Sequence, residues 1–243
     1  MYRYKLTIQY DGTEYHGWQV QKNHTTIQDE IEKSLNVFLS KKVPLIGAGR
    51  TDSGVHALGQ VAHFDLDQKK EPRVIVDALN ARLSNDIQIK DCVLVDKTFH
   101  ARFSAKKRFY LYRLRTDTFL LDRSFTFQVK KVDFNLLKSS AELIKGTHDF
   151  TSFSKHNDKI DNRYCTIYES AWKEDNSLLN YRICGNRFLH HMVRYLVGTM
   201  VEIAKKRYST DDFEKLLKNP QENVHIYKAP SRGLILEKVE YED

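Results

Sequence analysis

Residues 47–57 read GAGRTDSGVHA, the densest concentration of chemically capable side chains in the 243-residue chain. Three glycines, an arginine and an aspartate crowd into a polar segment between apolar runs, and loops of that composition are held for function more often than for packing. Asp52 is the carboxylate of this loop; it is either a reactive group or an ordinary turn aspartate bonding its own backbone. Arg50, two residues earlier, suits contact with a phosphate, or braces the loop from the surface. The opening Gly-Ala-Gly is not a dinucleotide fingerprint, because no GxGxxG follows and no helix is predicted to begin there. Metal chemistry finds no matching ligands: His190 and His191 are adjacent, about 100° apart on a helix rather than at i, i+4, and no cysteine is near. His56 and His63 lack partners of the right type as well, so neither a metal nor a cofactor is expected.

A second kind of chemistry is written in KKRFYLYRLR, residues 106–115, where aromatic rings alternate with cations. Bases stack on such rings and phosphates pair with such charges. Tyr110 shares a strand face with Tyr112, opposite Phe109 and Leu111, and can meet a base with its π-face or sit in a core. Lys106, Lys107, Arg108, Arg113 and Arg115 are expected to line an RNA-binding cleft, or else to guard a strand edge against aggregation. Arg194 falls on a predicted helix over 188–206, opposite the Met192 and Leu196 stripe and on a face with Arg187, His190 and Gly198; a solvated basic face explains that placement equally well.

Composition agrees with a polyanionic partner. Lys plus Arg outnumber Asp plus Glu by 39 to 32, a formal charge of +7, and aromatic residues make up 12% of the chain. Basic side chains displace counterions condensed on nucleic-acid phosphates. Cys92, Cys165 and Cys184 are odd in number and widely spaced, against both a disulfide framework and a zinc cluster. The N-terminus lacks an apolar h-region and no run is long enough to span a membrane, so a soluble cytoplasmic protein is expected.

The elements that must carry these residues follow from periodicity. Tyr4, Leu6, Ile8 and Tyr10 alternate as a half-buried strand ending at Asp11-Gly12. Ile27, Ile31, Leu35, Phe38 and Leu39 mark a helix over 26–39, with Thr25 and Gln28 as a capping box. Strands over 59–66 and 87–95 flank a helix that starts at Pro72 and carries Ile75, Leu79 and Leu83. Strands follow over 108–114 and 125–130, then a helix over 133–145 capped by Asp133, then strands over 164–173 and 178–184. The helix from Phe188 should face its sheet with Phe188, Met192, Leu196, Met200 and Ile203, and a strand over 234–241 closes the chain. The pattern is α+β, with two related halves of mainly antiparallel strands: residues 1–104, holding the Asp52 loop, and residues 105–243, completing a cleft.

Six separated segments, in order, resemble the tRNA pseudouridine synthase A family: YDGTEYHGWQVQ (10–21) with TIQDEIE, GRTDSGVHA, FHARFSAKKRFYLYRL (99–114), GTHDFTSF (146–153), GNRFLHHMVRYLVGTMVEI (185–203) and APSRGLILEKVEY (229–241). The resemblance implies the pseudouridine synthase fold, with antiparallel sheets meeting at a central basic cleft and no cofactor. It implies Asp52 as catalytic nucleophile or electrostatic centre, Tyr110 stacked on the target base, and Arg194 holding the carboxylate ionised. Arg50, Lys107, Arg108 and His56, with Tyr110, are then expected to contact RNA. A homodimer acting on uridines of the tRNA anticodon stem-loop is implied too. Two positions depart from the family pattern: Ser53 replaces a usual Ala and Ser231 a usual Pro. Two rivals stand beside this reading, a non-catalytic tRNA-binding or chaperone module on the same fold and a metal-dependent nuclease.

Overall fold

The alternation at the start of the chain folds as β1 (Tyr2–Tyr10), which buries Tyr4, Leu6, Ile8 and Tyr10 and leaves the residues between them half in water. The computed structural model describes residues 1–157 and 161–241. Its further elements are α1 (Ile27–Leu39), β2 (Ile46–Gly47), β3 (His56–Leu66), α2 (Pro72–Asn80), β4 (Ile87–Val95), β5 (Ala105–Arg115), β6 (Phe127–Gln128), α3 (Phe134–Glu142), β7 (Gly146–Asp149), β8 (Tyr164–Asp175), β9 (Leu178–Gly185), α4 (Met192–Ala204), α5 (Thr210–Lys218) and β10 (Leu234–Tyr241). The chain forms two compact units, residues 1–106 with the strand from Ile235 onward, and residues 107–234. Each is α+β with mainly antiparallel strands, as the periodicities require.

In the first unit the strand order is β4-β1-β3-β10, with β2 on β3. β1 pairs antiparallel with both neighbours, Leu6 lying opposite Ala62 and Cys92. β10 joins in parallel, Ile235 and Leu236 against His56 and Ala57. Helix α1 buries Ile27, Ile31 and Leu35 at the expected spacing. Its capping box is not formed: Thr26 is the cap residue, and its Oγ1 is buried with no hydrogen-bond partner. The backbone takes over that task, since the N–H groups of Ile27 and Gln28 donate to the carbonyls of Gly17 and Trp18 at 3.1 and 3.0 Å. Gln28 is thereby released to donate Nε2 to Glu32 and to the Leu45 carbonyl.

The turn after β4 is held by a buried histidine. His63 is 1% exposed, and its Nδ1 accepts the Ala101 N–H at 3.1 Å. Burial first, then the charges of Arg3 and His100, lower its pKa from 6.5 to about 4, with Asp65 opposing. Above pH 6.5 neither folded nor unfolded chain protonates this ring. Between 6.5 and about 4 the unfolded chain takes up a proton that the folded ring refuses, so stability falls as pH falls. The expected loss approaches ~1.4 kcal/mol per pH unit across that window. Thermal melts from pH 7 to 4 should show it and His63→Gln should flatten the slope; equal slopes in both proteins would assign the acid sensitivity to other groups.

In the second unit the order is β5-β9-β8-β7, all antiparallel, with β6 adding in parallel to the end of β5. Asp133 caps α3 as expected, accepting from the N–H groups of Asn135 and Leu136 at 3.0 and 3.3 Å. The strand expected over 125–130 contracts to the two residues of β6. The helix expected from Phe188 begins only at Met192, because His191 stands at φ 65°, a left-handed conformation that an α-helix cannot continue through. Met192, Leu196, Met200 and Ile203 are buried as expected, whereas Phe188, Arg187 and His190 precede the helix and share no face of it. Helix α5 lay outside the sequence reading, although its signals are present: Ser209 Oγ caps the N–H groups of Asp211 and Asp212, and Phe213 and Leu217 bury one turn apart. All three cysteines are buried. Burial raises the thiol pKa of Cys92 to about 12 and of Cys165 to about 11. Among the described residues no helix is long and apolar enough to cross a membrane.

Candidate active site

Asp52 lies in the loop between β2 and β3, half-buried, and the segment from Tyr10 to Gln19 holds that loop along its length. The Tyr10 hydroxyl bonds Thr51 Oγ1 at 2.8 Å, and the Trp18 N–H donates to the Thr51 carbonyl at 3.1 Å. One residue beyond Asp52, Ser53 Oγ donates to the Tyr15 carbonyl, which also receives the Gly54 N–H, each at 3.2 Å. Ser53 thus adds a side-chain hydrogen bond to the loop. The Val55 N–H closes a turn onto the Asp52 carbonyl, and Gly54 supplies the positive φ of 73° inside it.

Two glycines make this approach possible. A Cβ on Gly17, whose φ is +88°, would stand 2.6 Å from the Thr51 carbonyl oxygen and 3.0 Å from the carbonyl carbon of Asp52. A Cβ on Gly12 would stand 2.1 Å from the Val55 carbonyl oxygen. The first unit therefore brings together two segments some 35 residues apart in sequence, and it does so around Asp52. In YDGTEYHGWQ the five-residue spacing of the two glycines is the one local trace of this task.

Arg50 is exposed and donates Nε to Gln19 Oε1 at 3.0 Å, so one end of the guanidinium is steadied by the same segment. His56 behaves differently from its expected RNA contact. It is 2% exposed, and its Nδ1 lies 3.1 Å from both the Gly12 N–H and Asp11 Oδ1. The N–H can only donate, so Nδ1 accepts from it, while Asp11 Oδ1 takes hydrogen bonds from the Thr13 N–H and hydroxyl. A side chain so enclosed holds the turn.

The second unit carries the other site residues. Tyr110, on β5 opposite Ile183, is half-buried and meets the Phe188 ring edge-to-face at 5.1 Å. Arg194, in the first turn of α4, donates Nε to the Ala229 carbonyl at 2.9 Å, and the Ala229 N–H returns to the Arg194 carbonyl at 2.9 Å. Gly198 permits this approach, since a Cβ there would lie 2.2 Å from the Tyr227 carbonyl oxygen. Two further segments from the sequence, GNRFLHHMVRYLVGT and APSRG, thus meet at Arg194. Ser231 opens a 3₁₀ turn (Ser231–Gly233) next to Pro230, whose carbonyl accepts the Tyr112 hydroxyl at 2.7 Å.

The basic stretch divides. Arg108 donates to the Asn186 carbonyl at 2.6 Å, and Lys107 places Nζ 5.7 Å from the Tyr168 ring. Arg115 is bound to Asp117 and Asp122 at 2.7 and 3.0 Å, and Arg113 stands 3.8 Å from Asp122. Carboxylates already lie against these last two charges, which leaves less of each to offer a phosphate.

A carboxylate on a loop pinned from one side is the arrangement that catalysis by a fixed charge or nucleophile needs, because the group does not have to be reorganised during reaction. The model of the tRNA pseudouridine synthase family matches residues 6–104 and 141–242. A protein of Exiguobacterium sp. named tRNA pseudouridine synthase A is 40% identical over 243 residues, covering 100% of this chain and 99% of its own. The protein of that name from Dictyoglomus thermophilum is 40% identical over 246 residues, with 99% of this chain and 100% of its own covered. A third, from Geobacillus sp., is 39% identical over 246 residues, 99% of each chain being covered.

Proposed function

As the chain belongs to the tRNA pseudouridine synthase family, we propose that it isomerises uridine to pseudouridine in tRNA, with Asp52 as the indispensable carboxylate. The reaction breaks the bond between N1 and C1′, turns the detached uracil, and joins C5 to C1′. C5 gives up a proton and N1 gains one, so no electrons are exchanged and no external cofactor is required. A duplex hides these atoms, and the nucleotide must be turned out of its stack.

Each need has a residue suited to it. Asp52 supplies the carboxylate at the ribose. Tyr110, its ring propped by Phe188, supplies the stacking face for the base. Arg194, fixed through Ala229, supplies a permanent positive charge of the kind that keeps a carboxylate ionised. Arg50 reaches a phosphate of the everted nucleotide, with Lys107 and Arg108 holding flanking phosphates. His56 positions the turn at Gly12. A homodimer working in the cytoplasm on the anticodon stem-loop completes the reading. The observation that carries it is the Asp52 loop itself, tied by five hydrogen bonds to the segment from Tyr10 to Gln19.

Incubation with an unmodified tRNA transcript, followed by mapping of pseudouridine, tests the proposal. Pseudouridine should form in the anticodon arm, with RNA length unchanged and no effect of a chelator. Binding without product would favour a non-catalytic RNA-binding module. Strand cleavage abolished by chelation would favour a nuclease. Affinity for tRNA should fall steeply between low and high salt, as phosphate contacts dictate.

A further inference from the structure

The segment Phe99–Ser104 has no part in the chemistry above, yet it holds the most exposed Phe, Tyr or Trp among the described residues: Phe103, 75% exposed. The ring does not stand on a loose tip. His100 Nδ1 accepts the N–H groups of both Arg102 and Phe103 at 3.2 Å, and Ser104 Oγ accepts the His100 N–H at 2.9 Å. Between them Ala101 is fully buried, its N–H on His63 and its carbonyl receiving the Tyr241 hydroxyl at 2.7 Å. The turn is thus locked to the core of the first unit at its centre while it presents an apolar ring to water.

What surrounds the ring identifies its occupant. The His100 ring backs it at 4.4 Å, tilted by 34°, and the Arg102 guanidinium lies 5.6 Å from its centroid. Lys97 and Lys106, a few residues to either side, are exposed. An apolar protein partner calls for a continuous apolar patch, whereas a single flat ring among cations suits a nucleobase, whose face stacks on the ring while its phosphate meets the guanidinium. The chain's net charge of +7 favours the same class of ligand.

We propose that Phe103, with Arg102 beside it, is a stacking platform for one unpaired base of the bound tRNA, distinct from the uridine that reacts. It rests on the proposed function only in taking RNA as the ligand. Equilibrium binding of an unmodified tRNA transcript should weaken about tenfold or more in Phe103→Ala. Phe103→Trp should retain affinity and show a tRNA-dependent quench of fluorescence beyond that of the wild-type protein. Melting temperatures of both variants should match wild type, because an exposed ring contributes little packing. Wild-type affinity in Phe103→Ala would overturn the platform, and so would a change of oligomeric state in that variant, which would make the ring a contact between protein chains. Loss of affinity in Phe103→Ala supports the platform even if the wild-type protein forms no pseudouridine, a result that would sink the enzyme reading alone.

Discussion

Asp52→Asn should lower single-turnover formation of pseudouridine by at least about a thousandfold while leaving tRNA bound. Asparagine keeps the size and planarity of the side chain and removes the charge, so the substitution separates carboxylate chemistry from loop shape. The loop should survive it, since the five hydrogen bonds that tie it to the segment from Tyr10 to Gln19 run through Arg50, Thr51, Ser53 and Gly54. Binding should survive as well, because affinity for RNA comes largely from phosphate contacts and the lost charge is negative. Activity within tenfold of wild type would remove Asp52 from the chemistry. Loss of binding together with activity would point to a collapsed loop.

Gly17→Ala should both destabilise the first unit and displace the Asp52 loop. The position requires φ of +88°, which costs an L-residue roughly 1–2 kcal/mol. The new Cβ would also stand 2.6 Å from the Thr51 carbonyl oxygen, a backbone atom with nowhere to swing. Overpacking of that kind costs about 1–3 kcal/mol. Together these give a loss near 3 kcal/mol, and for a chain of this length a fall in Tm of roughly 6–12 °C. Whatever part of the clash is relieved by movement shifts Thr51 and Asp52, and a displacement of ~1 Å at a reacting group costs about a hundredfold in rate. Gly49→Ala in the same loop is the control, because its Cβ would meet nothing within 4 Å. If Gly17→Ala matched that control in both Tm and kcat, the segment from Tyr10 to Gln19 would not be what positions Asp52.

The boundary between what could be read and what could not is clearest at Asp52 and its neighbours. The GRTDSGVHA loop stood out by composition alone, and the strand and helix before it announced themselves by periods of two and of about four residues. Yet the hydrogen bonds that hold the loop come from Tyr10, Tyr15 and Trp18, and no spacing in the sequence marks them for that task. His56, which the resemblance places against RNA, is enclosed by the distant Asp11-Gly12 turn. Arg115 looked like a phosphate ligand, although Asp117 and Asp122, which neutralise it, were only two and seven residues away.

By itself the sequence determined what depends on residues a few positions apart: the buried face of β1, the Ile27, Ile31 and Leu35 stripe of α1, the Asp133 cap and the dense chemistry around Asp52. Each is a local repeat or a local hydrogen bond and leaves its trace in order and spacing. Only the tertiary structure decided that Gly12 and Gly17 must be glycine because the carbonyls of Val55 and Thr51 press against them. It alone paired β10 with β3 across about 180 residues and turned Phe188 from a helix face onto Tyr110. The physical reason is that a contact between distant segments has no period: a glycine demanded by another strand's carbonyl is written with the same letter as one demanded by its own turn.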